Sequence, residues 1–167
     1  MELINIKVEP SIILKQFEVS DIKVIFQVMD RNRDYLKKWC ARTIDKYPNA
    51  EALCEDIVRY RNSKAFCLGI WDKKEFMGSI NFTVYNDFFE VPRCVIGYWI
   101  DENHQGRGYI GKSLAYIVEY IFDTFDVHMI HAKVSSQNKR SINVLERAGF
   151  SKYESIFELE FVLGRNV

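Results

Sequence analysis

The sequence lacks the features that mark membrane, secreted and nucleic-acid-binding proteins. No apolar run approaches the roughly 20 residues that a membrane-spanning helix requires. The opening residues, MELINIKVEP, have no basic segment followed by an apolar one, as a secretory signal would have. Lysine plus arginine and aspartate plus glutamate both number 23, so no net positive charge attracts nucleic acid. We therefore expect a cytoplasmic protein that binds no nucleic acid and no membrane.

Paired metal ligands are also lacking. The four cysteines, Cys40, Cys54, Cys67 and Cys94, include no C-x-x-C pair, which argues against a zinc site and favours reduced, buried thiols. An H-x-x-H pattern occurs within a predicted strand, where residues three apart face opposite ways and cannot share an ion. We expect no bound metal.

What the sequence has is enough apolar residues for one sizeable core. It contains 167 residues, of which 48% are hydrophobic, so we expect residues 1–167 to form a single domain. Alternation and turn residues predict strands over 11–17, 65–71, 75–85, 93–100, 127–134 and 157–163. Helical spacing and capping residues predict helices from Ser20 to about Asp30, over 31–39, from Asn49 to about Arg61, over 114–125, and over 138–149 with Gly149 at the end. This order predicts a mixed α/β sheet rather than a doubly wound parallel one.

Residues 104–114, HQGRGYIGKSL, fit three phosphate-binding patterns. The spacing G-x-x-x-x-G-K-S from Gly106 is that of a nucleotide P-loop, and G-x-G-x-x-G from the same residue is that of a dinucleotide fingerprint. The spacing Q-x-x-G from Gln105, followed by a helix, resembles the pyrophosphate loop of acetyl-CoA enzymes. All three patterns hold phosphate at a helix N-terminus.

The surroundings of the motif favour the third pattern. Five polar residues separate the strand that ends near Ile100 from the first glycine, whereas a P-loop begins directly after its strand. The next strand carries no acid to hold Mg²⁺ or to bind a ribose hydroxyl. A loop that only eases the turn into the helix, without a ligand, is a further alternative.

In the acetyl-CoA interpretation, N–H groups of residues 105–111 converge on a pyrophosphate. Gly106 and Gly108 let the backbone approach, and Arg107 and Lys112 either add countercharge or are solvated.

Two linked motifs resemble the GNAT superfamily of acetyl-CoA-dependent N-acetyltransferases, and within it the RimJ/RimL ribosomal-protein N-acetyltransferase group. IGYWIDENHQGRGYIGKSL (96–114) resembles the family's loop, and NKRSINVLERAGF (138–150) resembles its following helix. DRNRDYLKKW (30–39) resembles the group's helical pattern before a tryptophan. The resemblance covers about residues 11 to 150. It implies an antiparallel meander followed by a parallel, splayed strand pair, with helices on both faces.

The resemblance also implies direct transfer of acetyl from acetyl-CoA to a primary amine. Pantetheine would enter between the strand ending at Ile100 and the strand over 127–134. The implied cofactor-binding residues are Tyr98, Trp99, Ile100, Gln105, Gly106, Arg107, Gly108, Tyr109, Ile110, Gly111, Lys112, Asn138 and Ser141. Ser141 would protonate or hydrogen-bond the leaving thiolate, unless it is an exposed polar residue. Asn138 has the alternative role of a helix N-cap.

The acceptor amine must be neutral when it attacks. An α-amine has a pKa near 8, so about a tenth is neutral at pH 7, whereas deprotonating lysine costs roughly 4 kcal/mol. An α-amine therefore needs only a weak base, and the resemblance implies Glu160, with Glu158 on the same strand face. Both residues could instead form the polar face of an edge strand. Further acceptor-side candidates on a loop are Asp87, Phe88, Phe89 and Glu90, although the two aromatic side chains could simply pack on the core.

We expect a protein N-terminal α-amine as the acceptor. A small-molecule amine (a polyamine, amino sugar or antibiotic) and a non-catalytic acyl-CoA-binding role are the alternatives. After Phe150 only 17 residues remain, with no Gly, Pro, Asn or Asp before Gly164. A final hairpin near Ser155 is therefore poorly signalled, and the acceptor wall is either short or supplied by a second chain in a homodimer.

Overall fold

The computed structural model describes residues 3–60, 63–86, 91–154 and 159–165. Its strands are β1 Asn5–Lys7, β2 Ile12–Gln16, β3 Ala65–Asp72, β4 Glu75–Tyr85, β5 Arg93–Ile100, β6 Met129–Val134, β7 Ser151–Glu154 and β8 Leu159–Gly164. Its helices are α1 Ile22–Arg31, α2 Arg33–Lys46, α3 Ala50–Tyr60, α4 Tyr109–Thr124 and α5 Lys139–Arg147. Single 3₁₀ turns lie at Val19–Asp21 and Glu102–His104.

The strands form one mixed sheet in the order β1-β2-β3-β4-β5-β6-β8-β7. Strands β1 to β5 are an antiparallel meander, and β5 and β6 are parallel to each other. The predicted mixed α/β architecture is confirmed. The short strand β1 was not predicted, because three residues are too few to show an alternating pattern.

Helices cover both faces of the sheet and bury two apolar clusters. On one face α4 buries Leu114, Ile117 and Ile121 completely, which confirms its predicted apolar stripe. On the other face α1, α2 and α3 pack against aromatic side chains that include Trp71 and Trp99. Full burial of each Leu or Ile contributes about 1.5–3 kcal/mol, so these stripes fix α4 against the strands that precede and follow it.

The predicted helix ends are correct at Asn49 and Gly149 and wrong at Ser20. Asn49 Oδ1 accepts from the N–H of Ala52 at 2.9 Å, and Gly149 has φ of 85°. Ser20 lies inside the 3₁₀ turn, where Glu18 and Asp21 cap each other reciprocally. Asp21 also binds Lys15 at 3.1 Å. The carboxylates of Glu18 and Asp21 therefore accept the backbone N–H groups at this helix start, and Ser20 does not.

Two strands follow α5, although the scarcity of turn residues had put the final hairpin in doubt. β7 pairs antiparallel with β8 from Ser151↔Val162 to Glu154↔Leu159. β8 in turn pairs with β6, so it lies inside the sheet and β7 forms the edge. The connection near Ser155, with Phe157 and Glu158, lies outside the described residues. Both strands of the final hairpin therefore belong to this chain's own sheet.

No helix in the described ranges is both long enough and apolar enough to cross a bilayer.

Candidate active site

The site is a gap between β5 and β6. The two strands pair only from Arg93↔Met129 to Val95↔His131, while β5 continues to Ile100 and β6 to Val134. The predicted splay is confirmed. Beyond Val95, no strand among the described residues pairs with the edge of β5 that faces β6, so its backbone groups are available to an extended ligand.

A cavity of about 430 Å³ occupies this gap. It is lined by Tyr35, Leu36, Trp39, Cys40, Tyr98, Trp99, Ile100, His104, Gln105, Gly106, Gly108, Tyr109, Ile110, Gly111, Asn138, Arg140, Ser141, Asn143, Val144 and Arg147. Most of the predicted cofactor-binding residues are thus brought together around one cleft.

Side chains of two helices that line the cleft were missed by the sequence analysis. α2 contributes Tyr35 and Trp39, whose spacing of four residues places them on one helical face. α5 contributes Arg140 and Arg147, two turns apart on its cleft side. The helical spacing of these residues could have been read from the sequence. It shows that they share a helix face but not that this face lines the cleft. α2 is kinked at Cys40, where burial raises the thiol pKa to about 11, so the sulfur stays protonated.

The loop before α4 presents a series of backbone donors. Among the described residues, no acceptor binds the N–H groups of residues 106–111, and the next donor, Lys112, bonds to the carbonyl of Gly108 at 3.0 Å. Gly106 and Gly108 have φ of 74° and 80°. A Cβ on Gly106 would meet only open space, so these glycines are required for left-handed backbone rather than for room. The amide Nε2 of Gln105 is also buried without an acceptor in the described part of the chain.

The loop begins at Asp101, whose carboxylate is completely buried. It accepts from Asn32 Nδ2 at 2.8 Å and Arg31 Nη2 at 2.5 Å. His104 Nδ1 lies 2.8 Å from the same carboxylate, and Asn32 Oδ1 accepts the N–H of Glu102 at 2.9 Å. Burial alone opposes ionisation, but the hydrogen bonds from Asn32, Arg31 and His104 leave the pKa of Asp101 lowered. This network ties the α1–α2 junction to the loop.

The N-terminus of α5 places Ser141 in the cleft. Asn138 is the N-cap, and its Oδ1 accepts the N–H of Ser141 at 3.2 Å. The hydroxyl of Tyr98 donates to the carbonyl oxygen of Ser141 at 3.3 Å. Burial raises the pKa of Tyr98 to about 12, so this hydroxyl keeps its proton near neutral pH. Both main-chain groups of Ser141 are therefore fixed.

The remaining predicted cofactor residues lie around the loop. Arg107 and Lys112 do not line the cleft, and Lys112 Nζ is 2.8 Å from Glu9. Tyr109 lines the cleft, and its hydroxyl donates to Asp72 at 2.7 Å. That bond lowers the pKa of Asp72 and raises that of Tyr109. The start of α4 is thereby connected to the β3–β4 hairpin.

Glu160 lies away from the first cleft, in a second cavity of about 650 Å³. The cavity is lined by Tyr85, Val91, Arg93, Val95, Met129, His131, Lys133 and Glu160. Because it includes Val95 and His131, the last pair between β5 and β6, it begins where the strands start to part. Glu160 Oε1 is 3.1 Å from His131 Nδ1. The acceptor candidates Asp87, Phe88, Phe89, Glu90 and Glu158 lie outside the described residues.

Comparison with known proteins identifies related chains over most of this length. The family model described as an acetyltransferase (GNAT) domain matches residues 11–151. The probable N-acetyltransferase YjcK of Bacillus subtilis (strain 168) is 26% identical over 153 residues, which cover 85% of this chain and 81% of that protein. The [ribosomal protein uS5]-alanine N-acetyltransferase of Escherichia coli (strain K12) is 31% identical over 128 residues, which cover 72% of this chain and 65% of that protein.

A solved structure shares the fold. The RimL ribosomal L7/L12 alpha-N-protein acetyltransferase in complex with coenzyme A matches with a TM-score of 0.85. The match covers 96% of this chain and 98% of that one at 18% identity.

Proposed function

The chain belongs to the GNAT acetyltransferase family and is an acetyl-CoA-dependent N-acetyltransferase, and from this premise we propose that its acceptor is the α-amine of a protein N-terminus. The observation that carries the proposal is the single carboxylate in the second cavity. Among its described lining residues, Glu160 is the one acid. It can pair with the one ammonium group of a peptide N-terminus, whereas a polyamine brings several positive charges.

The names of two relatives agree with this acceptor class. The matched Escherichia coli enzyme is named for a ribosomal-protein alanine, and the matched solved structure is named as an alpha-N-protein acetyltransferase. The short segment after Phe150 was the reason to consider a non-catalytic protein. The pairing of β7 and β8 within the sheet supports the catalytic alternative instead.

We expect acetyl-CoA to bind along this cleft. The N–H groups of residues 106–111 and the Nε2 of Gln105 would bind the pyrophosphate, at the positive end of the α4 dipole. The pantetheine arm would lie along the unpaired edge of β5 and reach toward the point where β5 and β6 meet. The thioester would then lie between the two cavities.

The chemistry is a direct transfer. The lone pair of the neutral amine attacks the thioester carbonyl carbon, a C–N bond forms, and the C–S bond breaks. We assign Ser141 to donate a hydrogen bond to the departing thiolate, or its hydroxyl proton, which a proton from solvent then replaces. We assign Glu160 to accept the proton that the amine loses, directly or through a water. An α-amine needs little help, since about a tenth of it is already neutral at pH 7.

The acceptor class is tested by thiol release with matched peptides. The purified chain is given acetyl-CoA and one peptide with an internal lysine, either with a free N-terminus or with that terminus formylated; spermidine is a third acceptor. We expect amine-dependent thiol release with the free peptide, and mass spectrometry should place the acetyl group on its α-nitrogen. Faster reaction with the blocked peptide or with spermidine would contradict the proposal.

A further inference from the structure

His131 and Glu160 form a pair across two neighbouring strands at the edge of the acceptor cavity. His131 is on β6 and Glu160 is on β8, and both side chains line the second cavity. Glu160 Oε1 lies 3.1 Å from His131 Nδ1. Within the described residues, this is the only hydrogen bond or ion pair of the Glu160 carboxylate.

The direction of the hydrogen bond follows from the chemistry of the carboxylate. An ionised carboxylate can only accept, so Nδ1 of His131 carries the proton and donates it to Oε1. The other ring nitrogen, Nε2, is buried and has no partner in the described part of the chain. Because Nε2 is shielded from solvent, only Nδ1 can act on the second cavity, and it does so through its hydrogen bond to Glu160.

Two further basic residues among the described lining lie near the pair. Lys133 is directly opposite Glu160 in the β6–β8 register. Arg93 reaches the cavity from β5, where its guanidinium carbon lies 5.4 Å from the centre of the Tyr85 ring. The Glu160 side chain is 37% exposed, so without a fixed partner it would turn toward solvent or a cation. The His131 bond holds Oε1 and leaves Oε2 for a ligand.

We infer that His131 is a positioning residue, which orients the Glu160 carboxylate so that Oε2 meets the acceptor amine or its bound water. This inference rests on the proposed acceptor side and on the assignment of Glu160. The location supports it: His131 is the last residue of β6 that pairs with β5, so it holds Glu160 beside the point where the thioester would end. No step requires the ring to take or give up a proton.

Two substitutions of similar size distinguish the role of Nδ1 from that of Nε2 in His131. In His131→Asn the amide nitrogen lies near the position of Nδ1 and can donate to Glu160, whereas in His131→Gln it lies near the position of Nε2. We expect His131→Asn to keep nearly the full kcat with the free peptide. His131→Gln and His131→Leu should lower kcat by about 10- to 100-fold, because misplacement of a reacting group by about 1 Å costs this much. The KM for acetyl-CoA should not change in any of them.

A double substitution tests whether the two residues act together. Glu160→Gln should lower kcat at least as much as His131→Leu, and the combined variant should be no slower than Glu160→Gln alone. Equal losses in His131→Asn and His131→Leu, or additive losses in the double variant, would overturn the inference. A fully active Glu160→Gln would also overturn it while leaving the acceptor class intact. A wild-type chain that acetylates spermidine but no peptide would instead remove the proposed function itself, and with it this inference. Thermal melting of each variant confirms that it is folded.

Discussion

The hydroxyl of Tyr98 on β5 donates a 3.3 Å hydrogen bond to the main-chain carbonyl of Ser141 on α5, and so joins the two walls of the cleft. Asn138 holds the N–H of the same serine. The serine is thus positioned through its backbone, and its side chain also forms a hydrogen bond with Tyr98. Because the backbone bonds do not involve the hydroxyl, the side chain can be removed while its main chain stays in place.

Ser141→Ala should lower kcat at least tenfold, in the range typical of a lost proton donor. The main-chain bonds to Asn138 and Tyr98 remain, so the Kd for acetyl-CoA should stay close to that of the wild type. Single-turnover kinetics and calorimetric titration measure the two quantities separately. An unchanged kcat would remove Ser141 from the mechanism.

Tyr98→Phe should reduce the free energy of unfolding by about 1 kcal/mol near neutral pH, the usual net value of one hydrogen bond. The substitution should also alter the pH dependence of stability. Since burial raises the pKa of Tyr98 from 10.0 to about 12, the folded state favours the neutral phenol. That contribution is complete below pH 10 and disappears as pH rises through about 12. Urea denaturation at a series of pH values should show a shallower alkaline decline in the variant than in the wild type.

Gly108→Asp should weaken acetyl-CoA binding at least about tenfold, or 1.4 kcal/mol. The new side chain is strained at φ of 80° and places a negative charge beside the expected pyrophosphate. Acetyl-pantetheine provides the matched control, because it has the thioester arm but no pyrophosphate. Equal loss of both ligands would indicate a damaged fold rather than a lost phosphate contact.

Asp101→Asn should destabilise the chain by a few kcal/mol, since it leaves Arg31 and His104 without their buried anionic partner. The lowered pKa of Asp101 means that its contribution is present above the unfolded value of 3.8 and is lost as pH falls through the still lower folded value. The wild type should therefore lose more stability below pH 4 than the variant does.

The control for this substitution is Asp30→Asn, at an exposed carboxylate 3.0 Å from Arg33. Exposed pairs contribute about 0–1 kcal/mol, so this variant should remain close to the wild type. A loss as large as that of Asp101→Asn would show that burial is not the cause.

Glu9→Gln should tighten acetyl-CoA binding modestly at low salt. Lys112 is engaged by Glu9 at 2.8 Å, and it must leave that partner to contact a phosphate. Removing the carboxylate frees the ammonium group, and the gain should vanish at 1 M salt, where the Debye length is about 3 Å. If Lys112 takes no part in binding, Glu9→Gln will have no effect at any ionic strength.

Local patterns predicted the elements but not the contacts between distant ones. The stripe of α4, the cap at Asn138 and the positive φ of Gly149 each depend on residues a few positions apart, and each is confirmed. The splay of β5 and β6 followed from family resemblance. The prediction that Ser20 caps the first helix was wrong, because two nearby carboxylates bind each other's backbone instead.

The parts that were missed join segments far apart in sequence. Asn32 and Asp101 are 69 positions apart, and His131 and Glu160 are 29 apart. Helical spacing placed Tyr35 and Trp39 on one face of α2 but could not show that this face lines the cleft. Register between non-consecutive strands has no local signal, so the His131–Glu160 pair was visible only in the structure.

The position of β8 between β6 and β7 has a consequence for how the protein matures on the ribosome. The loop of residues 105–111, where we expect the pyrophosphate to bind, and both of its neighbouring elements are synthesised before the strand that carries Glu160. Translation adds about 5–20 residues per second. Glu160 on β8 is made 29 residues after His131 on β6, so β6 remains without this neighbouring strand for roughly 1.5–6 s. A nascent chain stalled before β8 would already contain residues 105–111 and the residues of β7, but β7 would lack the strand with which it pairs, and Glu160 would be missing. On the proposed mechanism, such a chain could bind acetyl-CoA before it could catalyse the transfer.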